Sequence, residues 1–135
     1  MKRLAILAAF VLAGCGGSSG GVPAANLPPV GQELFGTSFN TTTFALTGTA
    51  SSFPAGSSVA VVAHLSSKVP EGQAIAIMVD GYTYNTGKAG AGGSDVFGIV
   101  ITPGGFAGTP GLAHTVTFAD VGGNVLATGT LTATP

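Results

Sequence analysis

Charged residues are scarce in this chain of 135 residues, which has only four Lys or Arg and five Asp or Glu, 7% of the sequence. In ordinary soluble domains about a quarter of the residues are charged. Because binding to phosphates needs clustered Lys and Arg, this scarcity excludes a nucleic-acid-binding surface. The composition does not indicate disorder either, since disordered chains combine low hydrophobicity with high net charge, whereas 45% of these residues are hydrophobic.

Cysteine occurs once in the chain and tryptophan does not occur at all. Cys15 is the only cysteine, so the chain can form no intramolecular disulfide and has no Cys-x-x-Cys pair for zinc. The absence of Trp removes the aromatic residue best suited to stacking on sugar rings and leaves two Tyr and eight Phe. A disulfide-stapled fold and a Cys-based zinc site are therefore excluded.

The apolar run at the N-terminus is too short to cross a membrane. Residues 4–13 would make a helix of about 15 Å, roughly half of what the hydrocarbon core of a bilayer requires. The run follows Lys2 and Arg3 and precedes small residues. This is the layout of a secretory signal peptide, which is removed from the mature protein.

The end of this run, Leu12-Ala13-Gly14-Cys15, resembles the lipobox of bacterial lipoproteins. The resemblance implies that residues 1–14 are cleaved off and that Cys15 carries a diacylglyceryl group and an acylated amino terminus, with chains such as palmitate. Two or more chains give a stable anchor, so membrane lipid is the implied partner. A free thiol behind an ordinary signal peptide is the alternative. The implied location is the bacterial cell envelope, and Gly16, in place of the Asp that favours inner-membrane retention, favours an outer membrane if the cell has one.

The segment of residues 15–31 is rich in Gly, Ser and Pro, which predicts a flexible linker behind the lipidated cysteine. About sixteen residues of coil span roughly 20–25 Å. From residue 32 to residue 135 the composition changes, and we predict one folded domain over that range.

Short runs with a period near two follow one another in this domain, and β-branched residues dominate them. The runs cover residues 44–48, 59–65, 75–79, 97–101, 112–118 and 125–131. Turn residues separate them, and Asp120–Asn124 predicts a hairpin turn. The pattern predicts an all-β fold, an antiparallel β-sandwich of about six to seven strands. No window after residue 14 has a convincing helical period.

Three of these strands resemble bacterial immunoglobulin-like (BIG-type) domains, the modules of adhesins and envelope proteins. The matching positions are Gly56, Val59 and Val61, then Ile75, Ile77, Val79, Asp80 and Gly81, then Gly111, His114, Val116 and Phe118. The resemblance covers about residues 40–134 and implies an immunoglobulin-like sandwich. It implies another envelope protein or a glycan as partner. This chain differs from the tandem arrays of such domains in adhesin stalks, because it has a single copy of the domain and a Gly-rich middle loop.

Candidate catalytic and metal-ligating residues are few. His114 lies on an apolar strand face, which favours a structural role like that of the tyrosine corner, and His64 favours a surface or edge position. Two His do not make a zinc site, and the strand-end residues Asp80, Asp95 and Asp120 fit turn capping better than calcium binding. The chain has no G-x-S-x-G nucleophile elbow, no P-loop spacing and no cleft-forming insertion for paired carboxylates. We expect no cofactor, no metal and no enzyme activity.

The candidate binding residues are Tyr82, Tyr84, Asn85, Lys88 and Phe106. Tyr82 and Tyr84 would point the same way along a continuous strand, and their rings could stack on a sugar or pack on a protein. Ordinary core or edge aromatics are the alternative. The predicted function is a membrane-anchored envelope lipoprotein with a non-catalytic binding or structural domain. A carbohydrate-binding module using both tyrosines is the first alternative and a small envelope enzyme the second. Exposed strand edges also allow self-association.

Overall fold

A computed structural model describes residues 22–103, 106 and 113–134 of the chain, together with the backbone of residues 15–17. The predicted signal peptide and parts of the loop over residues 103–111 lie outside the described residues. One 3₁₀ turn, Ala24–Asn26, accompanies the strands. The strands are β1 (Cys15–Gly17), β2 (Glu33–Gly36), β3 (Ser38–Phe39), β4 (Leu46–Thr47), β5 (Ser52–Pro54), β6 (Val59–Val69), β7 (Ala74–Val79), β8 (Tyr82–Lys88), β9 (Ser94–Ile101), β10 (Ala113–Ala119) and β11 (Val125–Thr134). Within this described part, no helix is long and apolar enough to span a membrane.

Two sheets form a β-sandwich, which confirms the predicted fold class. Sheet A has the strand order β1-β9-β6-β2, and sheet B has the order β5-β11-β10-β7-β8. The pairings are antiparallel except for β5, which runs parallel to β11. The chain passes between the sheets from β6 to β7, from β8 to β9 and from β9 to β10, as in Greek-key sandwiches.

The core between the sheets comes from the inward-facing residues of alternating strands. In β7, for example, Ile75, Ile77 and Val79 are buried while the residues between them are half-buried. Phe97 of β9 and Phe118 of β10 meet across the core with ring centroids 6.3 Å apart. Burying each such large side chain contributes roughly 1.5–3 kcal/mol, so this layer is the main source of stability.

The outer face of sheet A carries a second apolar cluster. Val62 and Val96 on this face are buried under Val22 and Phe44. The covering residues belong to an N-terminal arm, residues 22–31, and to the short β3–β4 hairpin. Leu27 of the arm and Phe39 and Leu46 of the hairpin are half-buried in this cluster. The protein therefore has a third layer, and β6 is buried on both faces over most of its length.

Packing of the arm differs from the flexible linker that its composition predicts. Val22 and Pro28 are buried, and the carbonyl of Pro28 lies 2.9 Å from Nδ1 of His64. The backbone N–H of Gly31 donates to the carbonyl of His64 at 2.7 Å. Residues 15–17 pair with β9, so that Cys15 lies opposite Gly98. The apolar residues of the arm cover a face of sheet A that would otherwise be exposed.

Local backbone geometry explains where strands begin and end. The predicted strand over 44–48 shrinks to β4, because Phe44 adopts a φ of 60°, which an extended strand cannot contain. The predicted hairpin turn at Asp120–Asn124 is confirmed between β10 and β11. Oδ1 of Asp120 accepts hydrogen bonds from the side chain and backbone of Asn124 and from the N–H of Gly122. These bonds, the Asn124 side chain first, lower the pKa of Asp120.

Candidate functional site

The candidate binding residues of β8 do not share one surface. Tyr82 is 79% exposed beside the β7–β8 turn, whereas Tyr84 is half-buried against the core. The pairing with β7 shifts register here, since Met78 lies opposite Thr83 and Ile77 opposite Asn85. Tyr84 is therefore the extra residue of a β-bulge, which breaks the alternation that would align the two rings.

Tyr84 and Phe106 hold one end of the sandwich together. The hydroxyl of Tyr84 is 3.1 Å from Oγ1 of Thr102 and also accepts the backbone N–H of Thr102 at 3.1 Å. The ring of Phe106 packs against the core and lies 5.5 Å, centroid to centroid, from the ring of His114. Both aromatics thus have structural partners, and only Tyr82 presents most of its ring to solvent.

Asn85 and Lys88 lie farther along the same strand. Oδ1 of Asn85 accepts the N–H of Thr86 at 2.8 Å. Lys88 is exposed at the far end of β8, opposite Ala74. Six residue steps at about 3.3 Å put it roughly 20 Å from Tyr82. A single small ligand cannot bridge Tyr82 and Lys88, although an extended chain could.

His114 and Asp80 form a hydrogen-bonded pair at the Tyr82 end of the sandwich. Nδ1 of His114 lies 2.7 Å from Oδ2 of Asp80, and Oδ1 of Asp80 accepts the N–H of Thr115 at 2.9 Å. The N–H of Asp80 donates to the carbonyl of Thr115 at 2.8 Å. Asp80 (φ 53°) and Gly81 (φ 87°) both have left-handed backbones, as a tight hairpin of the Asp-Gly type requires.

The geometry of this pair matches the base and orienting acid of many hydrolases, but its burial argues for a structural role. A general base works through the second ring nitrogen, which must reach the reacting proton. Here His114 is only 2% exposed, and its Nε2 is buried with no hydrogen-bond partner. The pair ties the β7–β8 turn to β10. Across the part of the chain that is described, no three His, Cys, Asp or Glu side chains gather to hold a metal ion.

Glu33 is a buried acid that the sequence analysis did not single out. It is 7% exposed, and neither carboxylate oxygen has a hydrogen-bond partner among the described residues. Burial raises the pKa of Glu33 to about 9, so the side chain is protonated and neutral at pH 7. The sequence contains a signal for the burial of Glu33. Phe35 is apolar, and the period of two in a strand places Glu33 on the same inward face as Phe35.

Two clefts are lined by residues that the structure describes. A small one of about 190 Å³ at the Tyr82 end is lined mainly by apolar side chains, Phe53, Val59, Phe106 and Leu131 among them. A larger one of about 440 Å³ lies at the side of the sandwich, between β2 and β11, and Glu33 lines it. Glu33 is the one titratable residue among the described residues that line the larger cleft.

Comparison with known proteins finds no relative of this chain. No family model, curated protein or solved structure matches the chain.

Replacing Asp80 tests the tie between the β7–β8 turn and β10. We expect Asp80→Ala to lower the free energy of unfolding by about 2–4 kcal/mol, because it leaves buried His114 without its partner and places Ala at a left-handed φ. Asp80→Asn tolerates that φ and keeps an acceptor for Thr115, so its loss should be less than half as large. Urea unfolding followed by circular dichroism measures both, and equal losses for the two variants would contradict this account.

The pH dependence of stability tests the state of Glu33. An unfolded Glu loses its proton near pH 4.5, whereas Glu33 keeps it in the folded protein up to about pH 9. Protonation therefore favours the fold fully below pH 4.5, and this contribution falls by at most about 1.4 kcal/mol per pH unit as the pH rises toward 9. We expect Glu33→Gln to unfold at higher urea than wild type, by a margin that grows from pH 5 to pH 8. Glu71→Gln, at an exposed acid, is the control, and parallel curves for Glu33→Gln and wild type would refute the assignment.

Proposed function

We propose that this chain is an envelope lipoprotein, held in membrane lipid through acylated Cys15, whose sandwich is a non-catalytic binding or structural module. The proposal rests on the order of residues at the N-terminus. A basic start is followed by ten apolar residues, and the apolar run ends in the sequence Leu12-Ala13-Gly14-Cys15. In that context the thiol is the acceptor of the lipid, and the chain offers it no second cysteine for an intramolecular disulfide. An outer-membrane location is favoured by Gly16 in a cell that has such a membrane.

The connectivity of the sandwich supports an immunoglobulin-like module. Sheet A combines the early strands β2 and β6 with the later strand β9, while sheet B combines β7 with the last two strands, β10 and β11. In immunoglobulin-like domains of the constant type the first, second, fourth and fifth strands share one sheet and the third, sixth and seventh share the other. Strands β2, β6, β7, β9, β10 and β11 follow that rule, whereas β8, counted as the fourth strand, pairs with β7 in sheet B instead of joining sheet A.

Two features of the surface support a binding or structural role rather than catalysis. The base-like nitrogen of His114 is sealed from solvent, so the best candidate for acid–base chemistry has no access to a substrate. The edge strand β8 carries a bulge at Tyr84 and a charge at Lys88, both of which discourage edge-to-edge pairing. We therefore favour another envelope component over a second copy of the chain as the partner.

Lipid attachment gives the direct test. In cells fed an alkyne analogue of palmitate, we expect the wild-type chain to be labelled and to enter the detergent phase, and Cys15→Ser to lose both properties. Combining Cys15→Ser with Ser18→Cys keeps a thiol close by but moves it out of the lipobox. Labelling of that double variant, or membrane retention of Cys15→Ser, would contradict the proposal.

A carbohydrate-binding module is the second candidate, favoured by the exposure of Tyr82. The hydroxyl of Tyr84 is held by Thr102, so we confine sugar contact to the Tyr82 ring. On a glycan array, Tyr82→Ala should lose binding without a change in unfolding, while Tyr82→Phe should keep it because the ring remains. Val121→Ala alters another exposed apolar residue, on the β10–β11 turn, and serves as control. Binding that survives Tyr82→Ala would exclude this surface.

A further inference from the structure

Glu33 lies at the point where the N-terminal arm enters sheet A. The N–H of Gly31 donates to the carbonyl of His64 at 2.7 Å, and the N–H of His64 donates to the carbonyl of Gln32 at 3.0 Å. The carbonyl of Gly31 also accepts the N–H of Thr128, on β11, at 3.2 Å. The two residues just before Glu33 therefore fix the end of the arm to strands of both sheets.

The carboxyl group of Glu33 is sealed between β2 and β11. Both oxygens are buried, and neither has a hydrogen-bond partner among the described residues. The group packs against Gly129, where an added Cβ atom would lie only 3.0 Å from Oε1 of Glu33 and 3.0 Å from Cζ of Phe35. A negative charge at this position would have neither water nor a donor to stabilise it, so the closed arrangement favours the neutral acid.

None of the described residues packed around Glu33 carries a charge. Its neighbour on β6 is Ala63. His64 follows Ala63 and is turned to the other face of sheet A, where its Nδ1 lies 2.9 Å from the carbonyl of Pro28. The remaining neighbours, from β2, β11 and the segment before β5, are Gln32, Leu34, Phe35, Thr49, Ala50, Ser51, Thr128, Gly129 and Thr130.

From this geometry we propose that the N-terminal segment, residues 22–33, is a pH-dependent device that opens from sheet A and β11 when Glu33 loses its proton. The carboxylic acid releases this proton to solvent, and no other covalent bond changes. The carboxylate regains water when residues 31–33 separate from β6 and β11. Because Gly31 and Gln32 carry the bonds that fix the end of the arm, this separation also detaches the arm from β6.

The rest of the arm has few contacts that could hold it in place alone. Val22 and Leu27 pack on the outer face of sheet A, and the carbonyl of Pro28 contacts the ring of His64. These residues precede β2 in the chain, so the segment can leave without disturbing the pairing of β6 with β9. Opening of this kind, in which one part of a fold separates while the rest stays folded, is common in native proteins.

Raising the pH favours the open segment. Burial raises the pKa of Glu33 from 4.5 to about 9, so the proton stabilises the closed segment fully below pH 4.5 and progressively less as the pH approaches 9. In the open segment the carboxyl group is in water and ionises near its ordinary pKa. The opening equilibrium should therefore shift by about tenfold for each pH unit between these limits.

Opening uncovers the part of sheet A that the arm covers, next to Val62 and Val96. For a binding module in the envelope, this would make an apolar face available to a partner only when the segment is open. That consequence rests on the proposed function, whereas the opening itself depends only on the burial of Glu33.

Hydrogen–deuterium exchange on the full-length protein in detergent tests the opening. Peptides from residues 22–33 report on the segment, and peptides from β10 report on unfolding of the whole sandwich. After correction for the intrinsic exchange rate, we expect protection of the segment to fall about tenfold per pH unit from pH 6 to pH 8, with a weaker dependence on urea than in β10. Protection that stays constant with pH, as it would if the carboxylate turned into the side cleft instead, would overturn the proposal. So would equal urea dependence in the segment and in β10.

Variants at position 33 assign the effect to this side chain. Glu33→Gln removes the titrating proton and retains His64, so protection of the segment should become independent of pH. Glu33→Met, with an apolar side chain of similar length, should give the same result and keeps the test valid if Glu33→Gln folds poorly. Glu71→Gln, at an exposed acid, is the control and should keep the wild-type dependence. A tenfold dependence that persists in a folded variant at position 33 would refute the proposal.

The full-length Cys15→Ser variant separates this test from the proposed function. Ser at position 15 has no thiol to carry lipid, yet the segment should open with the same pH dependence as in the wild-type chain. Failure of lipid labelling would therefore contradict the proposed anchor alone, whereas loss of the pH dependence in Cys15→Ser would contradict the opening mechanism.

Discussion

The architecture depends on β6, a strand that needs apolar cover on both of its faces. Between Val59 and Leu65 every residue except His64 is apolar and buried. Such a continuous run is typical of strands buried on both sides, whereas a strand with one wet face alternates. One face of β6 contributes to the core of the sandwich. The other requires a third layer, and the arm of residues 22–31 and the β3–β4 hairpin supply it. Pairing β2 with β6 also places Glu33 inside the protein.

Local signals predicted the central strands well. The period of two and the turn residues between runs identified β6, β7, β9, β10 and β11 and the turn at Asp120–Asn124. The Asp80-Gly81 pair was a further local signal for the hairpin into β8. The packed arm had no such signal, because its docking depends on an apolar face formed by strands distant in sequence. The bulge at Tyr84 likewise depends on the pairing of β8 with β7, so no pattern within the sequence of β8 predicts it.

Burial decides what the polar groups of this domain can do, and burial was the property hardest to predict. Asp80 and His114 are 34 residues apart and meet because Val79 pairs with Val116. A His–Asp pair of this geometry would suggest catalysis in an open cleft, yet here it has become a structural tie. Glu33 presents the opposite case, since its carboxyl group is buried without any partner. The two sites differ in that His114 has Asp80 as a partner through Nδ1, whereas neither oxygen of Glu33 has a partner among the described residues.

Because the arm is packed against sheet A, a lipid anchor at Cys15 would lie closer to the domain than a flexible linker over residues 15–31 would place it. If Cys15 carries the acyl chains, seven residue steps, at most about 24 Å of chain, separate the anchor from buried Val22. The pairing of Cys15 with Gly98 puts the anchor at the β9 edge of sheet A, where β1 also contacts β8. The strand order puts β2 and β11 on the opposite side of the sandwich. In that arrangement the β8 edge adjoins the anchored side, whereas β2 and β11 lie on the side away from it.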